Sequence, residues 1–160
     1  MKEKIAFLDR DGALIFEPQD TFQIDKLELL QILPGVIEAL KILLEKGFKL
    51  VLVSNQDGLG TAAFPMASFE APQQKMLSVF KENGIEFTAV CICPHFPSDN
   101  CACRKPKLGI VEEFLKTHDV DLDSSLMYGD RETDRQFAQN LGVRFIKVET
   151  NQPCTLTQFS

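Results

Sequence analysis

Ile5-Ala6-Phe7-Leu8-Asp9-Arg10-Asp11-Gly12 reads as a buried strand that ends on two carboxylates one residue apart. Alternation along an extended backbone sends Asp9 and Asp11 to one side, where both acids can meet one metal ion and one phosphoryl group. Arg10 then points elsewhere. The carboxyl end of such a strand is where an open α/β sheet binds its ligand, and a nucleophile beside its proton donor belongs there. A bare Asp-x-Asp fits an acidic turn equally well, so the remaining chain decides.

Further apolar segments rich in β-branched, aromatic or large residues predict strands over 49–54, 87–91, 125–128 and 143–148, after a first over 5–9. Helical spacing lies between them. Val36, Ile37, Leu40, Leu43 and Leu44 repeat with that period before Gly47; Met76, Leu77 and Phe80 do so before Gly84. Ile110, Val111, Phe114 and Leu115 mark another helix, and 131–140 a last one before Gly142. Strands alternating with helices predict an α/β fold, a mainly parallel, Rossmann-like sheet flanked by helices. Segments 17–33 and 58–72 carry no period, and each follows a strand end suspected of chemistry. Loops this long are uncommon in compact domains without a role, so both are expected to cover the site.

A chain of 160 residues with 44% hydrophobic content suits one domain over 1–160. Its apolar runs, such as Val51-Leu52-Val53, fall far short of the roughly 20 residues of a membrane span. Charged Met1-Lys2-Glu3-Lys4 leads into only four apolar residues before Asp9, which is not a secretory signal. A cytoplasmic protein without membrane attachment is expected. The net charge of −6 argues against broad nucleic-acid binding, but a small phosphate ester suits a site where metal and a few cations focus the field.

Four of the five cysteines fall within thirteen residues, from Cys91 to Cys103. Cys93-Pro94-His95 and Cys101-Ala102-Cys103 form two ligand pairs five residues apart, a closed Cys₃His set of the structural zinc type. Zinc bound there would staple a loop without a core of its own and fix Arg104 and Lys105, which follow immediately. Cys91 belongs to a strand, Cys154 reads as a free thiol, and His118 caps a helix end.

Three further strand ends carry polar groups. Val53-Ser54-Asn55-Gln56-Asp57-Gly58 offers a hydroxyl and backbone N–H groups to phosphate oxygens; Arg104-Lys105-Pro106-Lys107 offers cations; Tyr128-Gly129-Asp130-Arg131-Glu132-Thr133-Asp134 offers more carboxylates. Together, Asp9-Arg10-Asp11-Gly12, Ser54-Asn55, Lys105 and Gly129-Asp130 with Asp134 resemble the four motifs of the haloacid dehalogenase-like phosphohydrolases, in order and over nearly the whole chain. Ala13 departs from the pattern, which often has Thr or Val there, and a change in local packing is expected. The resemblance implies that Asp9 attacks phosphorus and that Asp11 acts as acid and then base. It also implies Mg²⁺ on Asp9, Asp130 and the backbone carbonyl of Asp11, with Ser54 and Lys105 holding phosphoryl oxygens. Asp134 is expected to orient Lys105 or the metal shell.

The zinc loop, with its short gap from His95 to Cys101, and the segments Ser54-Asn55-Gln56-Asp57-Gly58-Leu59-Gly60-Thr61 and Phe64-Pro65 resemble the histidinol-phosphate phosphatase family. The longer-gapped relatives are the heptose-1,7-bisphosphate phosphatases. In the first family the domain also occurs fused to an imidazoleglycerol-phosphate dehydratase. That half is absent here, which implies either a monofunctional protein or a fragment. Leaving-group contacts are expected from Arg104, Asn55, Gln56, Glu17 and segment 58–72, with Glu17 suited to an amino group. A different sugar phosphate as substrate, or a non-catalytic zinc-stabilised binding module, are the competing expectations.

Overall fold

The computed structural model describes residues 2–156. Five strands, β1 (Lys4–Leu8), β2 (Phe48–Asn55), β3 (Ala89–Cys93), β4 (Leu126–Gly129) and β5 (Arg144–Lys147), form one sheet in the order β3-β2-β1-β4-β5. Every neighbouring pair is parallel. Parallel pairing needs crossovers, and these are carried by α1 (Val36–Glu45), α2 (Met66–Glu82), α3 (Glu112–Thr117) and α4 (Glu132–Leu141). The expected α/β fold is therefore observed.

Alternation in β1 divides the core in two. Ala6 and Leu8 pack with Leu50, Leu52 and Tyr128 under Val36, Leu40, Met76 and Phe80 of α1 and α2. Ile5 and Phe7 face the other way, against Val51, Val53 and Met127 and beneath Phe114 of α3 and Phe137 of α4. The Phe7 ring meets Phe114 and Phe137 edge-on, at centroid distances of 6.1 and 6.4 Å. The buried Ala13, where the departure from Thr or Val occurs, belongs to the first of these cores.

The chain winds outward from β1 to β3 and then returns to β4 on the other side. Connections diverge between β1 and β4, and a crevice opens there at the carboxyl ends. Leu8 stands opposite Tyr128, and the Asp9 N–H donates to the Tyr128 carbonyl at 2.9 Å. The residues after these two strands are thereby brought together.

Two expectations shift. The third strand begins at Ala89, because Phe87 packs on Phe80 of α2 before the chain enters the sheet (centroids 5.6 Å apart). It runs on to Cys93, whose carbonyl accepts the Gln56 N–H at 2.8 Å. Segment 58–72 is loop only as far as Pro65, since α2 starts at Met66. Pro72 reads as a helix breaker, yet Phe69, Gln73, Met76 and Phe80 make one buried stripe at helical spacing through it. Segment 17–33 is irregular apart from a 3-10 turn at Leu27–Leu29. No helix among the described residues is long and apolar enough to cross a membrane.

Phe7 has 0% exposure and meets a ring from each of α3 and α4. Phe7→Ala is expected to cost about 3–5 kcal/mol of stability, read from denaturant unfolding.

Candidate active site

Lys105 is 3% exposed, and its ammonium gives its three protons to the Val53 carbonyl (2.8 Å), Asp9 Oδ1 (2.9 Å) and Asp134 Oδ1 (2.8 Å). Burial works against that charge, but the carboxylates of Asp134 and Asp9 outweigh it and hold Lys105 above its ordinary value. Asn55 fixes the backbone that carries it. Its Oδ1 accepts the Lys105 N–H at 3.0 Å, and its Nδ2 donates to the Lys105 carbonyl at 3.3 Å. Asn55, expected as a leaving-group contact, also borders the pocket while its amide makes this clamp.

The carboxylates outnumber the cations facing them. Burial and the neighbouring Asp134 push Asp9 well above the ordinary carboxylate range, against the pull of Lys105. Asp9, Asp130 and Asp134 offer oxygens close enough to share a metal ion. Both oxygens of Asp134 are taken, one by Lys105 and the other by the N–H groups of Asp130 and Arg131 at 3.2 Å each. Asp130 Oδ2 accepts from the Thr150 hydroxyl at 2.7 Å, whereas the buried Oδ1 has no partner among the described residues. A buried carboxylate oxygen left alone is costly, and a hard cation between Asp9 and Asp130 would satisfy it. Gly12 keeps the approach tight: its φ is +83°, and a Cβ there would lie 2.5 Å from Asp130 Oδ2.

Asp11 stands beside Asp9 at the same pocket, of about 290 Å³. Its Oδ1 accepts from Arg10 Nε at 2.7 Å and its Oδ2 from Gln56 Nε2 at 2.9 Å. Gln56 also donates to Ser54 Oγ at 2.7 Å and its Oε1 accepts from Arg10 Nη2 at 3.4 Å, so this expected substrate contact borders the pocket while its amide meets three neighbouring side chains. The Ser54 hydroxyl proton is given to no acceptor among the described residues, and Ser54 lines the pocket. Arg10 points away from the pocket but is fully buried.

Glu17 and Arg104 reach the outer wall, together with Thr21, Phe22 and Phe64. Glu17 is 2% exposed and forms an ion pair with Arg131. Burial raises its pKa although Arg131 opposes the shift. Arg104 pairs with Asp57 and borders the pocket. Arg131, Thr150 and Asn151, whose side chain binds the Glu17 backbone on both sides, were missed by sequence reasoning. Thr150 and Asn151 lie beyond the last strand, where no local spacing links them to Asp130 or Glu17.

Cys93, His95, Cys101 and Cys103 converge beyond β3. Cys93 Sγ lies 3.6 Å from Cys101 Sγ and 3.1 Å from Cys103 Sγ, and His95 Nδ1 lies 3.5 and 3.2 Å from Cys93 and Cys103. Ligands of a tetrahedral zinc ion stand about 3.5–3.8 Å apart by its usual bond lengths; two of these distances match and two are shorter, and the three thiols and one imidazole are the donor set that suits a soft divalent ion. Burial and the adjacent thiols push Cys93 up to about 12. At Cys101 burial is outweighed by the Arg104 and Cys103 N–H groups, which bring it down to about 6. Gly109 lets the loop close, because a Cβ there would meet the Ala102 carbonyl at 2.2 Å. Cys91 is in β3 and Cys154 is unpaired, as expected. His118 follows α3, stacked on Phe114, with Nδ1 2.8 Å from Glu3 Oε2.

Residues 4–151 match the family model described as polynucleotide kinase 3 phosphatase. The chain is 50% identical over 147 residues to the histidine biosynthesis bifunctional protein HisB of Blochmanniella floridana, covering 92% of this chain and 41% of that protein. It is 52% identical over 147 residues to HisB of Campylobacter jejuni subsp. doylei, covering 92% and 42%. The chain thus spans about two fifths of the length of these curated relatives. Among solved structures it resembles D,D-heptose 1,7-bisphosphate phosphatase from B. bronchiseptica, complexed with magnesium and phosphate. The TM-score is 0.82 at 32% identity, covering 92% of this chain and 82% of that one.

Asn55→Ala removes both bonds of the Lys105 clamp. It is expected to lower stability by about 1–2 kcal/mol, measured as a shift in denaturant midpoint at unchanged slope.

Proposed function

The chain belongs to the polynucleotide kinase 3 phosphatase family of haloacid dehalogenase-like phosphatases, and from that membership we propose that it hydrolyses L-histidinol phosphate to L-histidinol and inorganic phosphate. The observation that carries the chemistry is the ammonium of Lys105 seated between Asp9 and Asp134, with Asp11 and Ser54 at the same pocket. The substrate rests on the 50–52% identity to the HisB proteins and on the short zinc loop.

An Asp9 carboxylate oxygen attacks phosphorus, and the phosphorus–ester oxygen bond breaks. The departing alkoxide takes its electron pair and receives a proton from Asp11, leaving Asp9 as an aspartyl phosphate. Water then gives a proton to Asp11 and attacks phosphorus; cleavage of the Asp9–phosphorus bond restores both acids. Lys105 and the Ser54 hydroxyl hold the oxygens on which charge redistributes. Mg²⁺, held by Asp9, Asp130 and the backbone carbonyl of Asp11, would supply the positive charge that lets an anionic nucleophile meet an anionic ester. The lone Asp130 Oδ1 supports that place for the metal.

Zinc in the Cys₃His set is part of this reading, as a structural ion that fixes Arg104 and Lys105 against the pocket. So are one phosphatase domain over 1–160 and a cytoplasmic setting that keeps the thiols reduced; a monofunctional phosphatase and a domain fused to a dehydratase both fit it. Glu17, which shares its charge with Arg131, and Arg104 are the groups proposed to face the leaving group. A second reading, heptose 1,7-bisphosphate as substrate, is favoured by the similarity at TM-score 0.82.

Phosphate release in the presence of Mg²⁺ is expected to be at least tenfold more efficient with L-histidinol phosphate than with the heptose bisphosphate. Asp9→Asn is expected to abolish it with fold and zinc content intact. The opposite preference would replace the substrate, and near-normal turnover by Asp9→Asn would remove Asp9 as nucleophile. Cys101→Ser is expected to lose zinc, measured by elemental analysis, and to lower both melting temperature and turnover; unchanged values in a zinc-free variant would contradict the staple.

A further inference from the structure

Among the described residues Arg10 is the largest side chain with no exposure, and the phosphoryl chemistry does not use it directly. Its guanidinium reaches three acceptors: Asp11 Oδ1 from Nε at 2.7 Å, Gln73 Oε1 from Nη1 at 2.7 Å and Gln56 Oε1 from Nη2 at 3.4 Å. Its Cζ lies 4.9 Å from the centroid of the Phe69 ring, so cation–π contact sets the plane. Gln73 and Phe69 both come from α2, two of its five buried residues. A helix packed against the sheet, with no residue of its own in the pocket, thus grips the side chain that holds Asp11.

We propose that Gln73 is a positioning residue for Asp11, acting through Arg10. This rests on the reading of Asp11 as proton donor to the leaving group. A guanidinium is a rigid planar fork, so fixing Nη1 and the ring face fixes the direction of Nε. Asp11 has its two oxygens held by Arg10 and Gln56, and the remaining lone pairs are left to point into the pocket. Without the Gln73 acceptor, a buried N–H of Arg10 loses its partner. The side chain then reorients to recover one, and Nε leaves Asp11. Proton transfer depends on donor geometry at the leaving oxygen, so such a shift acts on the step that needs the proton.

That dependence separates positioning from mere support. An alkoxide requires a proton to depart, whereas p-nitrophenolate does not, and kcat/KM covers the steps through leaving-group departure. Gln73→Met, which keeps volume and removes the acceptor, is expected to lower kcat/KM for L-histidinol phosphate about tenfold more than for p-nitrophenyl phosphate. Gln73→Glu, which keeps the acceptor, is expected to restore the wild-type ratio. Equal losses on both esters with Gln73→Met would overturn the proposal. Asp11→Asn serves as reference: if it fails to discriminate between the esters, the proton-donor reading itself falls. Should Gln73→Met fail to fold by circular dichroism, Gln73→Ala is judged on the same ratio.

Discussion

The ammonium of Lys105 is the contact on which the site's architecture turns. Its three acceptors come from the end of β1, from β2 and from the first turn of α4, so one side chain ties three elements at the crevice. Burying a charge this deeply is tolerable only with every proton matched, and removing one partner from such a pair costs about 3–5 kcal/mol. Lys105 therefore sets the distance between Asp9 and Asp134 before any phosphoryl group arrives. The same charge that organises the crevice is the one a phosphoryl oxygen would meet.

Lys105 cannot reach that place unaided. It lies in irregular chain, and two devices deliver it. The Asn55 amide grips its backbone from the end of β2, and the loop before it closes on Cys93, His95, Cys101 and Cys103, with Cys93 anchored in β3. The Cys/His cluster and the buried ammonium are thus consecutive parts of one segment. On the carboxylate side the excess of Asp9, Asp11, Asp130 and Asp134 over the cations is balanced only in part by Arg10 and Lys105. The lone Asp130 Oδ1 marks where the remaining charge belongs.

Local spacing carried most of what the sequence could reveal. Strand alternation placed Asp9 and Asp11 together, the two Cys/His pairs announced their cluster, and helix periods with glycine stops located α1 and α4. What stayed hidden depends on distance along the chain. Arg10 meets Gln73 across 63 residues, Glu17 meets Arg131 across 114, and Thr150 reaches back to Asp130. Side-chain direction was hidden too: Asn55 and Gln56 sit at the expected strand end, but their amides turn to the protein. Pro72 concealed the start of α2 because the stripe through Phe69 and Gln73 outweighs one missing backbone donor.

The central claim is that phosphate passes through Asp9. Acid quenching within one turnover, with phosphorus-labelled L-histidinol phosphate and Mg²⁺, followed by peptide mapping, tests it directly. The account predicts labelled phosphate on the peptide containing Asp9, appearing before free phosphate accumulates. Label on another residue, or free phosphate formed at full rate with no protein-bound label, would contradict it.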